Sequence, residues 1–350
     1  MTAVVFAIPG DINLPTGGYT YDRRVLALLP QFGVTARHTE LPAGYPAPTA
    51  ADLQATARAL AETGKDSVLM VDGLAYGAMP ADVIKQAVCP IIALVHHPLC
   101  LETGLNEARA AELRASEIAA LVLAKRVIVT SRTTARTVID EFGVTSEKLT
   151  VAEPGTDPAP RAPGSSGTLQ LLAVGSVVPR KGYDILVRAL ERVTAPVAWE
   201  LTIVGAMDRS PETTAALEAQ IAQSPLAQRL RMIGGLSERA LADVYARSDV
   251  LVLSSLYEGY GMVLAEALAR GLPIVTTTGG AAAETVPDGA ALKVAPGDVD
   301  ALADALQRVI ADAALRLRLA DAAWAFAQSS LPRWDHSVAR IAAIIKELAP

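Results

Sequence analysis

Residues 250–266 read V-L-V-L-S-S-L-Y-E-G-Y-G-M-V-L-A-E, and the fold is decided there. Val250 to Ser254 is an apolar, β-branched-rich run bounded by turn residues, the pattern of a buried strand. Glu258-Gly259-Tyr260-Gly261 breaks it. From Met262 onward Val263, Leu264, Ala267 and Leu268 recur at helical spacing. A strand, a glycine loop and a helix in that order aim the backbone N–H groups of the helix start at one point, which suits an anion such as a phosphate. Glu258 and Glu266 bracket that point, and carboxylates beside a phosphate are placed to accept hydrogen bonds from hydroxyls. Phosphates flanked on both sides by hydroxyl-rich groups describe a nucleotide sugar.

The rest of the chain sets the frame around that stretch. A length of 350 residues exceeds the usual single domain, so two domains are expected. With 51% hydrophobic and 19% charged residues the chain can bury sizeable cores. The net charge of −6 lacks the basic excess of a nucleic-acid binder. The bulk charge does not support peripheral membrane contact either. The two cysteines, Cys89 and Cys100, lie in apolar surroundings and read as buried thiols of a reducing compartment. The opening segment lacks the basic n-region of a signal peptide and no apolar run is long enough to span a bilayer, so a cytoplasmic protein is expected.

Strands and helices alternate along the chain, which predicts parallel, doubly wound sheets with ligands at the carboxyl ends of strands. Ala3–Ile8 is a strand leading into a loop that ends at Gly17-Gly18. G-x-G-x-x-G is absent, so a nicotinamide-dinucleotide site loses its fingerprint; Gly17-Gly18 is either a plain turn or a place where backbone approaches a ligand. The strand at Ile91–Val95 ends in His96-His97-Pro98, and Ser131 is placed to cap the helix after the strand at 126–130. Pro154 to Thr168 carries four prolines and three glycines and marks the boundary between a first domain, 1–160, and a second, 161–330. A last helix within 331–350 follows a Pro-Arg-Trp corner and is expected to cross back onto the first domain.

Arg180-Lys181-Gly182 occupies a strand-to-helix loop, the same place in its unit that Glu258–Gly261 holds in a later one. Alone, an Arg-Lys pair is most often a solvated surface feature. Beside a glycine loop it can meet a diphosphate and stabilise the charge that develops when a sugar departs. The one D-x-D, Asp298-Val299-Asp300, follows Pro-Gly and precedes a helix, so one of its acids is expected as an N-cap. No Cys/His cluster has zinc spacing and no G-x-S-x-G is present. Neither a metal nor a cofactor is expected.

Glu258 and Glu266 form E-x7-E within S-L-Y-E-G-Y-G-M-V-L-A-E-A-L-A-R-G-L-P-I-V, with V-G-S-V-V-P-R-K-G-Y-D-I-L upstream and G-G-A-A-A-E-T-V downstream. Together with the V-A-E-P-G-T-D on the linker side, this resembles the retaining GT-B-fold glycosyltransferases of glycosyltransferase family 4. The likeness is strong across residues 166–330 and thinner in the first domain, where Gly17-Gly18, His96 and Ser131 fit. One departure is Ala152-Glu153-Pro154 where the family usually has Ile-Pro-Asn. The resemblance implies two Rossmann-like domains facing across a cleft, with the acceptor mainly on the first and the donor mainly on the second. It implies that Arg180 and Lys181 bind the donor diphosphate and that Glu266 holds the ribose hydroxyls. Glu258 would contact the transferred sugar, and the backbone from Gly259 through Tyr260 and Gly261 to Met262 and Val263 would line the donor. Ile233 and Gly234 would lie near the base, Gly17 and Gly18 would approach the phosphates, and His96 would stand beside the reacting carbon. His97 and Ser131 are further candidates.

The implied reaction moves a hexose-type sugar from a nucleoside diphosphate sugar, UDP favoured over GDP, to an unidentified glycolipid, glycan or small molecule, with retention. Two alternatives stand beside it. One is a GT-B relative that is not a transferase, such as a nucleotide-sugar epimerase. The other is a non-catalytic nucleotide-sugar-binding protein.

Overall fold

In the computed structural model, which describes residues 2–350, the chain divides into two compact units. One runs to Gly155 and takes back Pro332–Pro350; the other is Thr156–Leu331. The chain therefore leaves the first unit after Gly155 rather than at 160.

The first unit is built on six parallel strands: β1 (Thr2–Pro9), β2 (Val34–Leu41), β3 (Ser67–Asp72), β4 (Ile91–Val95), β5 (Arg126–Val129) and β6 (Leu149–Val151). Their order is β2-β1-β3-β4-β5-β6. The second unit repeats the plan with β7 (Leu169–Val174), β8 (Trp199–Val204), β9 (Leu230–Ile233), β10 (Val250–Leu253), β11 (Ile274–Thr277) and β12 (Ala291–Val294), in the order β12-β11-β10-β7-β8-β9. Central strands such as β4 and β10 are buried along their whole length, as continuous apolar runs in a parallel sheet should be.

Each sheet reverses its winding once. In the first, β1 has its chain neighbour β2 on one side and β3 on the other; in the second, β7 lies between β8 and β10. Loops leaving the carboxyl ends of the strands flanking such a reversal diverge to opposite faces and open a crevice between them. Glu258 follows β10 and Lys181 follows β7, so both leave the reversal of the second sheet.

The proline-rich boundary is tied down on the second unit. The Ala162 N–H donates to the Arg270 carbonyl at 2.9 Å, and Asp249 accepts the N–H groups of Ser165 and Gln170 at 2.9 and 2.7 Å. The helix Trp334–Leu348 packs against β1, β2 and the helix Gly17–Leu28 of the first unit, burying Val338, Ile341, Ala342 and Ile345. Asp298 caps the helix Val299–Ala311 by accepting the Ala301 N–H at 2.9 Å.

Candidate active site

In the second unit the two charged motifs meet. After β7 a short turn carries Arg180 and Lys181 to Gly182, which sits at φ 59°. A side chain at Gly182 would stand 2.6 Å from the Ser254 carbonyl oxygen, so glycine lets this turn lie directly on the end of β10. Ser254 Oγ donates to the Lys181 carbonyl at 2.9 Å and the Leu256 N–H to that of Arg180 at 2.8 Å. Fastened this way, Lys181 Nζ reaches Glu258 Oε1 at 2.6 Å and Arg180 Nη1 lies 3.4 Å from Oε2. Ser255 Oγ donates to Oε1 at 2.6 Å, and Arg180 Nη1 donates to the Tyr257 carbonyl at 2.6 Å.

The Glu258 side chain is 8% exposed. Burial by itself would raise its pKa, but the Lys181 and Arg180 cations and the Ser255 hydroxyl more than reverse this and hold it at about 2. Glu258 is thus a fixed carboxylate that can only accept hydrogen bonds. From below, Gly279-Gly280 braces it. Side chains there would meet the Leu256 and Glu258 carbonyl oxygens at 2.3 Å each, and the Ala281 N–H donates to the Glu258 carbonyl at 2.8 Å.

Gly261, at φ 88°, precedes the helix Met262–Leu268, which has no side-chain cap. Tyr260 is buried, while Gly259, Met262 and Val263 are partly exposed. Glu266 points one oxygen, Oε2, at the Tyr245 hydroxyl, which donates at 2.9 Å. Burial leads the effects on Glu266 and raises its pKa despite that hydrogen bond. The Arg270 guanidinium lies 4.5 Å over the Tyr245 ring and clamps the support from behind. Ile233 ends the edge strand β9, and Gly234 is exposed just beyond it.

The first unit assembles a second constellation at its own sheet reversal. His96 follows β4, Asp72 ends β3, and Asp22 comes from the helix Gly17–Leu28 that follows β1. These three strands are neighbours in the sheet. His96 Nε2 lies 3.2 Å from Asp22 Oδ1 and 3.1 Å from Asp72 Oδ2, with both carboxylates buried and the ring 21% exposed. Burial disfavours the imidazolium, but Asp22 and then Asp72 outweigh it and lift His96 to about 10. Asp22 is raised as well, by burial first. Gly18 borders the ring: a side chain there would lie 3.4 Å from His96 Cδ2. Gly17 opens the same helix, with Thr16 as its N-cap. The three groups are tightly clustered, with one polar atom of each of Asp22, Asp72 and His96 within 4.8 Å of the other two.

The adjacent candidates face elsewhere. His97 turns to Glu102, with Nε2 3.2 Å from Oε2. Ser131 is buried and caps the helix Arg132–Phe142 by accepting the Thr134 N–H at 3.0 Å. Sequence reasoning missed Asp22, Asp72, Tyr245 and Ser255. Ser255 stands three positions before Glu258 in a quoted motif and was within reach; the other three meet their partners only through the sheet.

Comparison with known proteins bears on the family and the fold. The family model described as Glycosyl transferases group 1 matches residues 160–325, and that described as Glycosyltransferase Family 4 matches residues 20–160. A similar curated protein is the MMP alpha-(1->4)-mannosyltransferase of Mycolicibacterium hassiacum. It is 30% identical over 283 residues, which are 77% of this chain and 67% of the relative. Among solved structures, sucrose-phosphate synthase from Thermosynechococcus elongatus superposes with a TM-score of 0.83 at 21% identity, covering 99% of each chain. Anabaena HepE in complex with UDP-glucose gives 0.78 at 20% identity, over 99% of this chain and 100% of that one. The two parallel six-stranded sheets with flanking helices are those of the GT-B fold, and the chain belongs to glycosyltransferase family 4.

Proposed function

We propose that this glycosyltransferase moves a hexose-type sugar from a nucleoside diphosphate sugar to an acceptor hydroxyl with retention at the sugar carbon, without a metal at the diphosphate. The observation that carries the reading is the Arg180–Lys181–Glu258 cluster at the reversal of the second sheet. It places two cations and a permanent carboxylate within a few ångströms, on elements locked together by backbone hydrogen bonds.

In this reading Arg180 and Lys181 take over the charge of the diphosphate. Their contacts strengthen as the bond from the sugar carbon to the phosphate oxygen breaks and negative charge collects there. Glu258, ionised and fixed, accepts hydrogen bonds from the sugar hydroxyls and orients the ring. Glu266 accepts a ribose hydroxyl on Oε1, its other oxygen being engaged by Tyr245. The backbone from Gly259 to Val263 lines the donor and Ile233-Gly234 borders the base. In the first unit His96, next to Gly17-Gly18, serves the transferred sugar. The acceptor oxygen bonds the sugar carbon, and its proton leaves with the departing diphosphate.

UDP-glucose is the first donor to test, since Anabaena HepE is bound to it; GDP-sugars are the second. A thermal-shift screen over nucleotide sugars, followed by mass spectrometry with candidate acceptors, should show one donor class stabilising the protein and losing its sugar to an acceptor. Glu266→Ala should weaken that donor at least tenfold. Donor binding with neither transfer nor hydrolysis over long incubation would overturn the transferase reading in favour of a binding protein. Isomerisation of the donor without acceptor would favour an epimerase.

A further inference from the structure

We propose that Asp22 and Asp72 are positioning residues that jointly hold His96 by Nε2, so that its Nδ1 edge is the one presented to the ligand. This rests on the proposed role of His96 at the transferred sugar. Both carboxylates approach the same ring nitrogen, at 3.2 and 3.1 Å. An ionised carboxylate accepts and does not donate, so with both acids ionised the shared nitrogen must carry the proton. Gly18 leaves room beside the Cδ2–Nε2 edge, where a Cβ would stand 3.4 and 3.5 Å from those atoms, and Tyr21 meets the ring edge-on with ring centroids 5.4 Å apart. Nδ1 lies on the side of the ring that neither acid touches. A second ring N–H directed outward suits an oxygen on which negative charge builds.

The placement is fixed by the fold. Asp72 is also the N-cap of the short helix after β3, its Oδ1 accepting the Leu74 N–H at 2.8 Å, which pins the carboxylate while Oδ2 faces His96. Asp22 is fully buried, and its Oδ2 has no hydrogen-bond partner among the described residues. A buried carboxylate oxygen without a partner costs stability. The titratable groups facing the ring are Asp22, Asp72 and Tyr21. The Tyr21 hydroxyl is committed to the Ala152 carbonyl at 2.9 Å, which leaves the two acids to set the ring's charge.

The chain has four histidines, so long-range proton–nitrogen NMR of the whole 350-residue chain can follow His96, assigned by its loss in His96→Gln. The wild type should show Nε2 protonated and a ring still charged at pH 8. Asp22→Asn and Asp72→Asn should each lower the His96 midpoint by a pH unit or more. With the donor that the thermal-shift screen identifies, they should cut kcat 10- to 100-fold while moving donor KM less than threefold. A wild-type Nε2 without its proton would overturn the proposal, whether or not the variants fold. So would an unchanged His96 midpoint in folded variants, or a stoichiometric divalent ion that disappears in both. The NMR result does not depend on turnover: normal spectra with no transfer would sink the transferase reading and leave the positioning intact.

Discussion

Lys181 and Glu258 lie 77 positions apart and end 2.6 Å apart, almost out of water. Removing one partner of such a pair strands the other charge, at a cost of about 3–5 kcal/mol, whereas replacing both by neutral groups is far milder. Lys181→Met and Glu258→Gln should therefore each destabilise by an amount in that range, and the double variant should recover most of it in urea unfolding. All three should lose donor binding, because stability can be restored without the charges but the diphosphate recognition proposed for this cluster cannot. The same carboxyl gives a pH signature. Its folded pKa of about 2 lies below that of an unfolded glutamate, so its stabilisation is present above about pH 5 and drains away as pH falls toward 2. In acid titrations Glu258→Gln should flatten the wild-type loss of stability in that window; an unchanged slope would mean the pair is solvated. Arg-Lys and E-x7-E were legible because charged residues stand out in apolar surroundings at regular spacing. Asp22 and Asp72 were not: each is a single acid, and what makes them notable is a histidine 74 and 24 positions away, brought close by strand order alone.

At the scale of elements, the strands that alternate with helices were legible where they are central and apolar. β2, β6 and β12 were not, and all three are sheet edges. β2 is V-T-A-R-H-T-E-L, buried only at its ends, because an edge strand covered on fewer sides keeps polar residues. One element shows how a buried acid secures a site loop. Glu117, on the helix Glu107–Leu123, accepts the Leu99 N–H at 2.9 Å just beyond His96-His97, while its Oε1 is buried without a partner among the described residues. Burial raises its pKa to about 8. The folded state then keeps a proton the unfolded state has already released, so stability is full below about pH 4.5 and falls as pH rises through 8. Glu117→Gln, which retains the acceptor for Leu99 and cannot ionise, should match the wild type near pH 4.5. By pH 8.5 it should exceed it by on the order of 2–5 kcal/mol. Chemical denaturation across that range checks this, and parallel curves would show that water reaches the carboxyl. Because His96 also titrates upward, the difference between the two proteins isolates Glu117.

For the molecule as a whole, the decisive fact is that the chain crosses between units twice, after Gly155 and after Leu331. The expected return of the last helix is what gives the first unit its discontinuous sequence, and the two crossings lie side by side. A side chain on Gly155 would collide with the backbone of Trp334, and the Ser337 hydroxyl donates to the Glu153 carbonyl. The second unit is continuous. Its two core clusters, one around Leu186, Leu201 and Leu306 and one around Leu253, Leu264 and Leu268, draw every buried member from within Thr156–Leu331. The first is not self-sufficient without residues 332–350, since removing the helix Trp334–Leu348 would uncover β1 and β2 and strip away Val338, Ile341 and Ile345. At about 1.5–3 kcal/mol for each large apolar side chain, that loss is comparable with the whole stability of a domain. A chain truncated after Leu331 should lose one cooperative unfolding transition and keep the other. The fragment 156–331 alone should fold and bind the nucleoside diphosphate that stabilises residues 1–350 within about tenfold as tightly, as calorimetry and a thermal-shift titration would show. A truncated chain that keeps both transitions would mean the last helix is only an attachment. A folded fragment blind to every nucleoside diphosphate would instead move the donor's phosphates away from Arg180 and Lys181, and with them the chemistry assigned to the second sheet's reversal.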